Sequence, residues 1–525
     1  MRELNTDPVE NSTVSDAINN ILNSGLTGIQ GAYSSAVPST NQGINSVWIL
    51  ASAGFIFLMQ AGFALIEGGA VSKKNRNSML IKNLYNVAIT GVAFWLAGYG
   101  LAFGGADYFV GQDRKTFASY GFEQVEFDHY VHWVIQFAYA TVVVSSFQGA
   151  LAERTQLFSY LVISAILAGF VYPIILAWTW GNGWLADKGF HDFAGSGIVH
   201  LVGGTAAFWG AWIVGERRAL ARQREGQFHR HEVDVKSREV QAELDDLHVD
   251  FSKIAKKHFK GNESEMQRNN NTFIVIGTLL VWASYIFFTG GRTLTQFTAR
   301  SASSGKIIQN MFISSSFSAL LSVLLKRLGF DPCESRSTKF DALTLCNGAL
   351  IGMVSISGVA DSCENWAAVL IGGISAFWYV GLALILDFYR IDDPLEAVPV
   401  HLGGGVWGLF AAGFFNNFHG VLFEHSLKQG QFMAYQIVGI AVIFAFVSAV
   451  VAPAFIILSK TDALRADKAI EEIGFDVAEL GQPGVSEDFI EAVRERIEAK
   501  EAQERKRQEF TDDEHNKVAH KPKPY

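Results

Sequence analysis

Charge is what this chain has least of for its length. Of 525 residues, 18% are Asp, Glu, Lys or Arg, and most of these lie between long stretches that carry none. Cysteine is nearly absent too. Cys333, Cys346 and Cys363 fall in a loop, an apolar run and another loop, which offers neither a disulfide framework nor metal-ligand spacing. The first 30 residues hold Asp7, Glu10, Asn11 and Asp16 without an apolar core, so they do not read as a signal peptide. No nucleophile–base pair or metal constellation stands out, which argues against an enzyme. No cofactor and no nucleic-acid partner is expected. The net charge of −9 decides little, because the acid is concentrated in the tails.

What the chain does have is apolar sequence. Uncharged runs cover 44–66, 83–106, 129–152, 155–186, 193–215, 269–291, 307–325, 342–360, 365–386, 397–423 and 429–459. Each meets the requirement of about 18 consecutive mostly apolar residues for a spanning helix. Buried helices of a soluble protein would alternate polar and apolar faces, and these do not. The pattern predicts an all-α polytopic membrane protein of eleven transmembrane helices. Residues 1–45 form a polar segment ahead of a membrane domain over 46–460, with a long connection at 216–268 inside it, and 461–525 form a tail. The mixed charges from Arg230 to Lys260 read as one or two solvated helices. In the tail, a helix ends near Gly474 and a charged helical stretch follows over 488–510, suited to solvent or to docking a cytoplasmic regulator. The Lys521-Pro522-Lys523-Pro524 end reads as disordered.

Orientation follows from Lys and Arg near the span ends. With the amino terminus outside, the short inner loops carry ten: Lys73, Lys74, Arg76, Lys82, Arg154, Lys326, Arg327, Arg336, Lys339 and Arg390. The outer loops carry seven: Arg114, Lys115, Lys188, Arg292, Arg300, Lys306 and Lys428. The tail is then cytoplasmic, Asn11 in Asn11-Ser12-Thr13 is a glycosylation acceptor, and the triplet at Asn262 stays bare. Five spans followed by five more reverse the second set in the membrane, the arithmetic of a 5+5 inverted repeat.

Two histidines stand out against this apolar background. His200 lies eight residues inside a segment that opens at Asp192, roughly 12 Å deep at 1.5 Å per residue. His401 lies five residues beyond Glu396 in a later segment. Ionisable groups at membrane depth usually face a pathway, and an inverted repeat brings both rings toward the midplane. Burial favours the neutral imidazole, which has one donor and one acceptor nitrogen. Two such rings can bond one another and hand on a proton. The competing reading is two unrelated histidines satisfied by neighbouring backbone. A metal site lacks a third ligand. Asp192 reads as a helix N-cap, as a source of negative potential beneath an outer vestibule, or both. Trp178 and Trp180 offer a π face to a cation or a membrane-interface belt.

Asp192-Phe193-Ala194-Gly195-Ser196-Gly197-Ile198-Val199-His200, the run Phe57 to Ala64, Glu153-Arg154 after Gly149-Ala150-Leu151-Ala152, and Asp392-Asp393-Pro394-Leu395-Glu396 before Val400-His401 together resemble the ammonium transporter family. The resemblance covers roughly residues 46–460, interrupted at 216–268. It implies an eleven-span bundle with an outside amino terminus, assembled as a homotrimer in the cell membrane with one pore per subunit. It also implies a role for each matched residue. His200 and His401 match the twin pore histidines, Asp192 the carboxylate supporting the outer ammonium site, and Trp180 that site's aromatic wall. Tyr139 and Phe288 fall where two phenyl rings stack as a gate, with Gln136 one turn before Tyr139. Gly474-Phe475-Asp476 resembles the part of the tail that contacts a neighbouring subunit.

Two departures bear on function. Tyr139 adds a hydroxyl to a constriction that is apolar in the family. Arg292 stands where the family has a small hydroxyl residue at the cation site, where it either turns outward, pairs with an acid such as Asp187, or repels the cation. The expected activity is transport of ammonium and its analogue methylammonium. Ammonium is deprotonated at the outer mouth, ammonia passes the histidines, and the proton is relayed, which makes transport electrogenic. The alternative is an ammonium receptor that conducts little. A Rhesus-type gas channel fits the span count and the Asp-Asp-Pro-Leu-Glu context less well.

Overall fold

The computed structural model describes residues 43–105, 109–124, 129–222, 224, 268–293, 304–330 and 341–480. Asn11, Asn262, Cys333, Arg300, Arg336, Lys339, most of the 216–268 connection and the 488–510 stretch lie outside the described residues. Ten helices are long and apolar enough to cross a membrane. They are α1 (Gly43–Ala70), α2 (Lys73–Phe103), α3 (His129–Leu151), α4 (Leu157–Trp178), α5 (Ser196–Val214), α6 (Asn271–Thr293), α7 (Ser304–Arg327), α9 (Asn365–Phe388), α10 (Val398–Phe415) and α11 (Leu427–Lys460). An eleventh, α8 (Ala342–Ile356), is apolar but has 15 residues. No strand occurs among the described residues beyond one isolated bridge, Thr155 to Arg465. The chain is an all-α polytopic membrane protein.

The helices depart from the uncharged runs in an instructive way. α1 and α2 extend past the runs and take charge with them. Glu67, on α1, is 3% exposed and accepts a hydrogen bond from Asn83 Nδ2 at 2.5 Å. Lys82, expected in an inner loop, sits within α2 at 2% exposed. Its ammonium donates to the Thr155 carbonyl at 3.2 Å and lies over the Tyr160 and Phe475 rings at 4.8 and 4.1 Å. A charge is tolerated inside such a bundle when partners replace its water. Some helices are shorter than their runs. α5 starts only at Ser196, because Asp192 to Gly195 form its capping loop, and α10 ends at Phe415 rather than at residue 423.

α5 and α10 cross at the middle of the molecule, and both open in a π-helical turn, Ser196–Leu201 and Val398–Gly403. Single π turns inside α-helices mark functional sites often enough to be worth following. The crossing is reciprocal. A Cβ built on Gly204 would lie 2.1 Å from the Leu402 nitrogen, and one on Gly405 would lie 2.6 Å from the Ser196 carbonyl oxygen. Each glycine is four residues after a histidine, and each touches the turn that carries the other histidine. This exchange of equivalent contacts is the local signature of the two-fold repeat. α11 lies along the outside with most of its surface exposed, as a helix facing lipid should.

After α11 the chain doubles back in two short helices, α12 (Lys468–Ile473) and α13 (Phe475–Ala478), hinged at Gly474. Asp476 accepts from the backbone N–H groups of Asn77 at 2.9 Å and Ser78 at 2.7 Å, capping α2. Phe475 N donates to Asn75 Oδ1 at 2.9 Å, and Lys74 Nζ donates to the Glu471 carbonyl at 3.0 Å. The Gly474-Phe475-Asp476 segment thus docks on the start of α2 in its own chain.

Candidate pore and its outer mouth

The site is built from the α5–α10 crossing. Both oxygens of Asp192 accept two backbone N–H groups each: Oδ1 those of Gly195 and Ser196 at 2.9 Å, and Oδ2 those of Gly197 and Ile198 at 2.8 Å. These are the otherwise unpaired donors of a helix start. Burial pushes the Asp192 carboxyl above its ordinary range, and the N–H groups pull it back toward the charged form. Asp393 stands eight residues before His401, the same offset as Asp192 before His200. It accepts from Val398 N at 2.7 Å, while its Oδ1 has no partner. Burial raises its carboxyl to about 6. The two caps hold the first turns of α5 and α10, and so the rings that follow.

The rings meet. His200 Nδ1 and His401 Nδ1 are 3.1 Å apart, and the imidazoles lie nearly parallel, 9° between planes with centroids 5.1 Å apart. His200 is fully buried and His401 is 6% exposed. His200 Nε2 is 2.8 Å from the Tyr285 hydroxyl, which is 3.2 Å from Ser357 Oγ. Ser357 Oγ donates to the Met353 carbonyl at 2.8 Å. Counting protons then fixes a direction. With the Ser357 proton committed, Tyr285 donates to Ser357 and its oxygen accepts from His200 Nε2–H. His200 Nδ1 is left bare and accepts from His401 Nδ1–H, since a neutral ring carries one proton. His401 Nε2 remains as the free acceptor of the set.

Above the rings, Phe288 lies 5.5 Å from His200 between centroids. Tyr139 meets Phe288 edge-on, 4.9 Å away at 68°, where two stacked rings were expected. The hydroxyl is the reason: it donates to the Phe288 carbonyl at 2.7 Å, which turns the ring across its neighbour. Trp180 caps Tyr139 at 5.3 Å, and its indole N–H donates to the Asp192 carbonyl at 2.8 Å. Trp178 instead packs on Phe446 and Trp184, so it presents no free face. Gln136 turns away toward His132, Nε2 to Nε2 at 3.2 Å.

A cavity of about 260 Å³ opens above Trp180, lined in part by Phe190, His191, Phe193 and Arg292. Arg292 neither turns outward nor meets Asp187, which lies 3.9 Å from Lys188. Its guanidinium carbon sits 4.1 Å from the Trp180 ring centroid. On the other side, a cavity of about 60 Å³ is lined by Leu386, Asp392, Asp393, Glu396 and Pro399 among others.

The family model described as Ammonium Transporter Family matches residues 47–236 and 252–485. The chain belongs to this family. It is 31% identical over 474 residues to ammonium transporter 1 member 3 of Solanum lycopersicum, covering 84% of this chain and 93% of that one. It superposes with a TM-score of 0.68 on a solved structure described as Sensor Amt Protein, 25% identical, covering 84% of this chain and 99% of that one. Candida albicans Mep2 matches with a TM-score of 0.63 at 23% identity, covering 81% of this chain and 86% of that one, which speaks to the fold. Reading the sequence passed over Tyr285 and Ser357, and it quoted Asp393 in a motif without giving it a role. Asp393 carried a signal in its repeated offset from a histidine. Tyr285 is one turn before Phe288, on the same helix face.

The second cavity is bordered by a buried charge network. Arg217 donates from Nε to Asp392 Oδ2 at 2.8 Å, from one terminal nitrogen to Asp392 Oδ1 at 3.0 Å, and from the other to Glu153 Oε2 at 2.5 Å. Glu153 Oε1 accepts from Ser72 N at 2.8 Å and Asn75 Nδ2 at 2.9 Å. Burial opposes the charge on both acids, but Arg217 outweighs it and holds both carboxyls below their ordinary values.

Proposed function

We propose that this chain carries ammonium across a membrane as ammonia, through the passage lined by His200 and His401, with the proton relayed along the ring pair. The observation that carries this reading is the 3.1 Å contact between two buried imidazoles contributed by opposite halves of the fold. Moving a bare ion into low dielectric has an idealised cost of order 20 kcal/mol. A route that strips the proton at the mouth avoids most of it, and potassium has no proton to give up. Tyr139 and Phe288 serve as the constriction where stripping occurs, and His401 Nε2 is the acceptor that meets ammonia below it. Methylammonium is the analogue small enough to follow. The amino terminus outside, the tail in the cytoplasm, and assembly as a homotrimer complete the proposal.

The test is uptake of labelled methylammonium with simultaneous current, in cells without ammonium transporters of their own. Wild type should restore uptake with an accompanying current, and His200→Ala should abolish both. Uptake without current would rule out the proton relay. A second reading, an ammonium receptor with little conduction, is favoured by one observation: Arg292 fills the face of Trp180. Binding of ammonium by the purified protein without any uptake would select it.

A further inference from the structure

The outer mouth contains a cation that belongs to the protein. The Arg292 guanidinium carbon lies over the Trp180 ring, 4.1 Å from its centroid, and Trp180 meets edge-on the Tyr139 ring that begins the constriction. Among the described residues no carboxylate pairs with Arg292, and its Nε is closed off from solvent with no hydrogen-bond partner. The nearest acid of the mouth, Asp192, has both oxygens committed to four backbone N–H groups. Across the cavity, His191 is engaged by Asp361 at 3.2 Å, so Asp361 is spent on a cation of its own. The guanidinium is therefore held at the mouth by the aromatic face rather than by an ion pair, which is the interaction an arriving ammonium would use.

We propose that Arg292 is a tethered occupant of the outer cation site and sets the concentration at which that site loads. This rests on the ammonium reading above and specifies its selectivity step. An ammonium ion reaching Trp180 must displace a like charge from the same π face, and the tether keeps that competitor at high local concentration. The site then loads weakly, and only while Arg292 has left the ring.

The experiment pairs ammonium binding to the purified full-length protein, followed by ammonium-dependent thermal stabilisation, with methylammonium uptake into proteoliposomes. Three variants separate charge from shape: Arg292→Ser, Arg292→Gln and Arg292→Lys. Removing the charge should tighten ammonium binding about tenfold in Ser and Gln, equivalent to about 1.4 kcal/mol. The half-saturation of uptake should fall in step. Lys, which keeps the charge, should resemble wild type. Unchanged affinity in Ser and Gln, or equal tightening in all three, overturns the proposal. The two readings fail separately. Tightened binding with no uptake in any protein leaves the tethered occupant standing and removes transport. Uptake with unaltered affinity does the reverse.

Discussion

Single atoms decide how the buried ring pair is arranged, and Tyr285 is the clearest case. Its hydroxyl is the link that orders His401, His200 and Ser357 into one directed chain of donors. The expected tautomers are His200 with its proton on Nε2 and His401 with its proton on Nδ1, readable by ¹⁵N NMR of histidine-labelled protein. Tyr285→Phe removes the link while keeping the ring, so both tautomers should then be populated in each histidine. Finding the His401 proton on Nε2 in wild type would contradict the proton count. The same variant leaves a buried ring nitrogen without its partner, at a cost of about 1–3 kcal/mol.

At the rim, burial would lower His191, but Asp361 outweighs it and holds the imidazole above its ordinary 6.5. The same contact holds Asp361 below its ordinary 3.8. The histidine's share of stability is complete below pH 6.5 and lost as pH rises through its raised value. The aspartate's share is present above pH 3.8 and lost as pH falls. His191→Gln should therefore lower the melting temperature most near pH 5.5, and the difference from wild type should shrink toward pH 9.

One scale up, the opening turns of α5 and α10 are the same device used twice. A carboxylate eight residues ahead of a histidine caps the helix, and the histidine hangs from the turn so fixed. The two caps are unequal. Asp192 accepts four N–H groups, whereas Asp393 receives Val398 and leaves Oδ1 unpaired. Asp192→Ala should cost more than the roughly 0.5–2 kcal/mol of an ordinary cap, since it strands several buried donors at once. Asp393→Ala should cost less, and chemical unfolding in detergent compares the two.

Much of this scale was legible in advance. Uncharged runs located all eleven helices, because lipid requires apolar residues where backbone groups bond internally. Asp192, His200 and His401 stood out because ionisable groups are rare at that depth. Helix ends were less legible. Lys82 and Glu67 lie inside helices because side chains and carbonyls of other helices, loops and the tail supply their partners, and no local periodicity carries that. Tyr139 and Arg292 were visible as departures, but their consequences depend on the directions of side chains. The edge-on gate follows from a hydroxyl finding one carbonyl, and the Trp180 contact from the acids around Arg292 being engaged by other groups.

For the molecule as a whole, the face that carries Asp392 is tied by charge and the centre by close approach. Arg217 joins the chain after α5 to the loops before α4 and α10, and Glu153 carries the tie on to the loop before α2. Removing one member of such a buried set costs about 3–5 kcal/mol, because its partners stay charged and lose their main counter-ion. Arg217→Ala should lower the unfolding midpoint accordingly. Arg217→Lys should recover only part of the loss, since an ammonium cannot hold both oxygens of Asp392 as the guanidinium fork does. The tail closes the same face through Asp476, and Asp476→Ala should expose residues 461–480 to limited proteolysis while the helices stay intact.

The Gly204–Gly405 crossing has a consequence for how cargo can move. With backbone against backbone and each helix seated on the turn bearing the other's imidazole, one half of the fold cannot tilt past the other without prying the rings apart. A carrier that exposes its load first to one side and then to the other needs that tilt; a fixed orifice does not. Preloading vesicles with unlabelled methylammonium should therefore leave inward tracer flux unaccelerated, whereas an exchanging carrier would speed up.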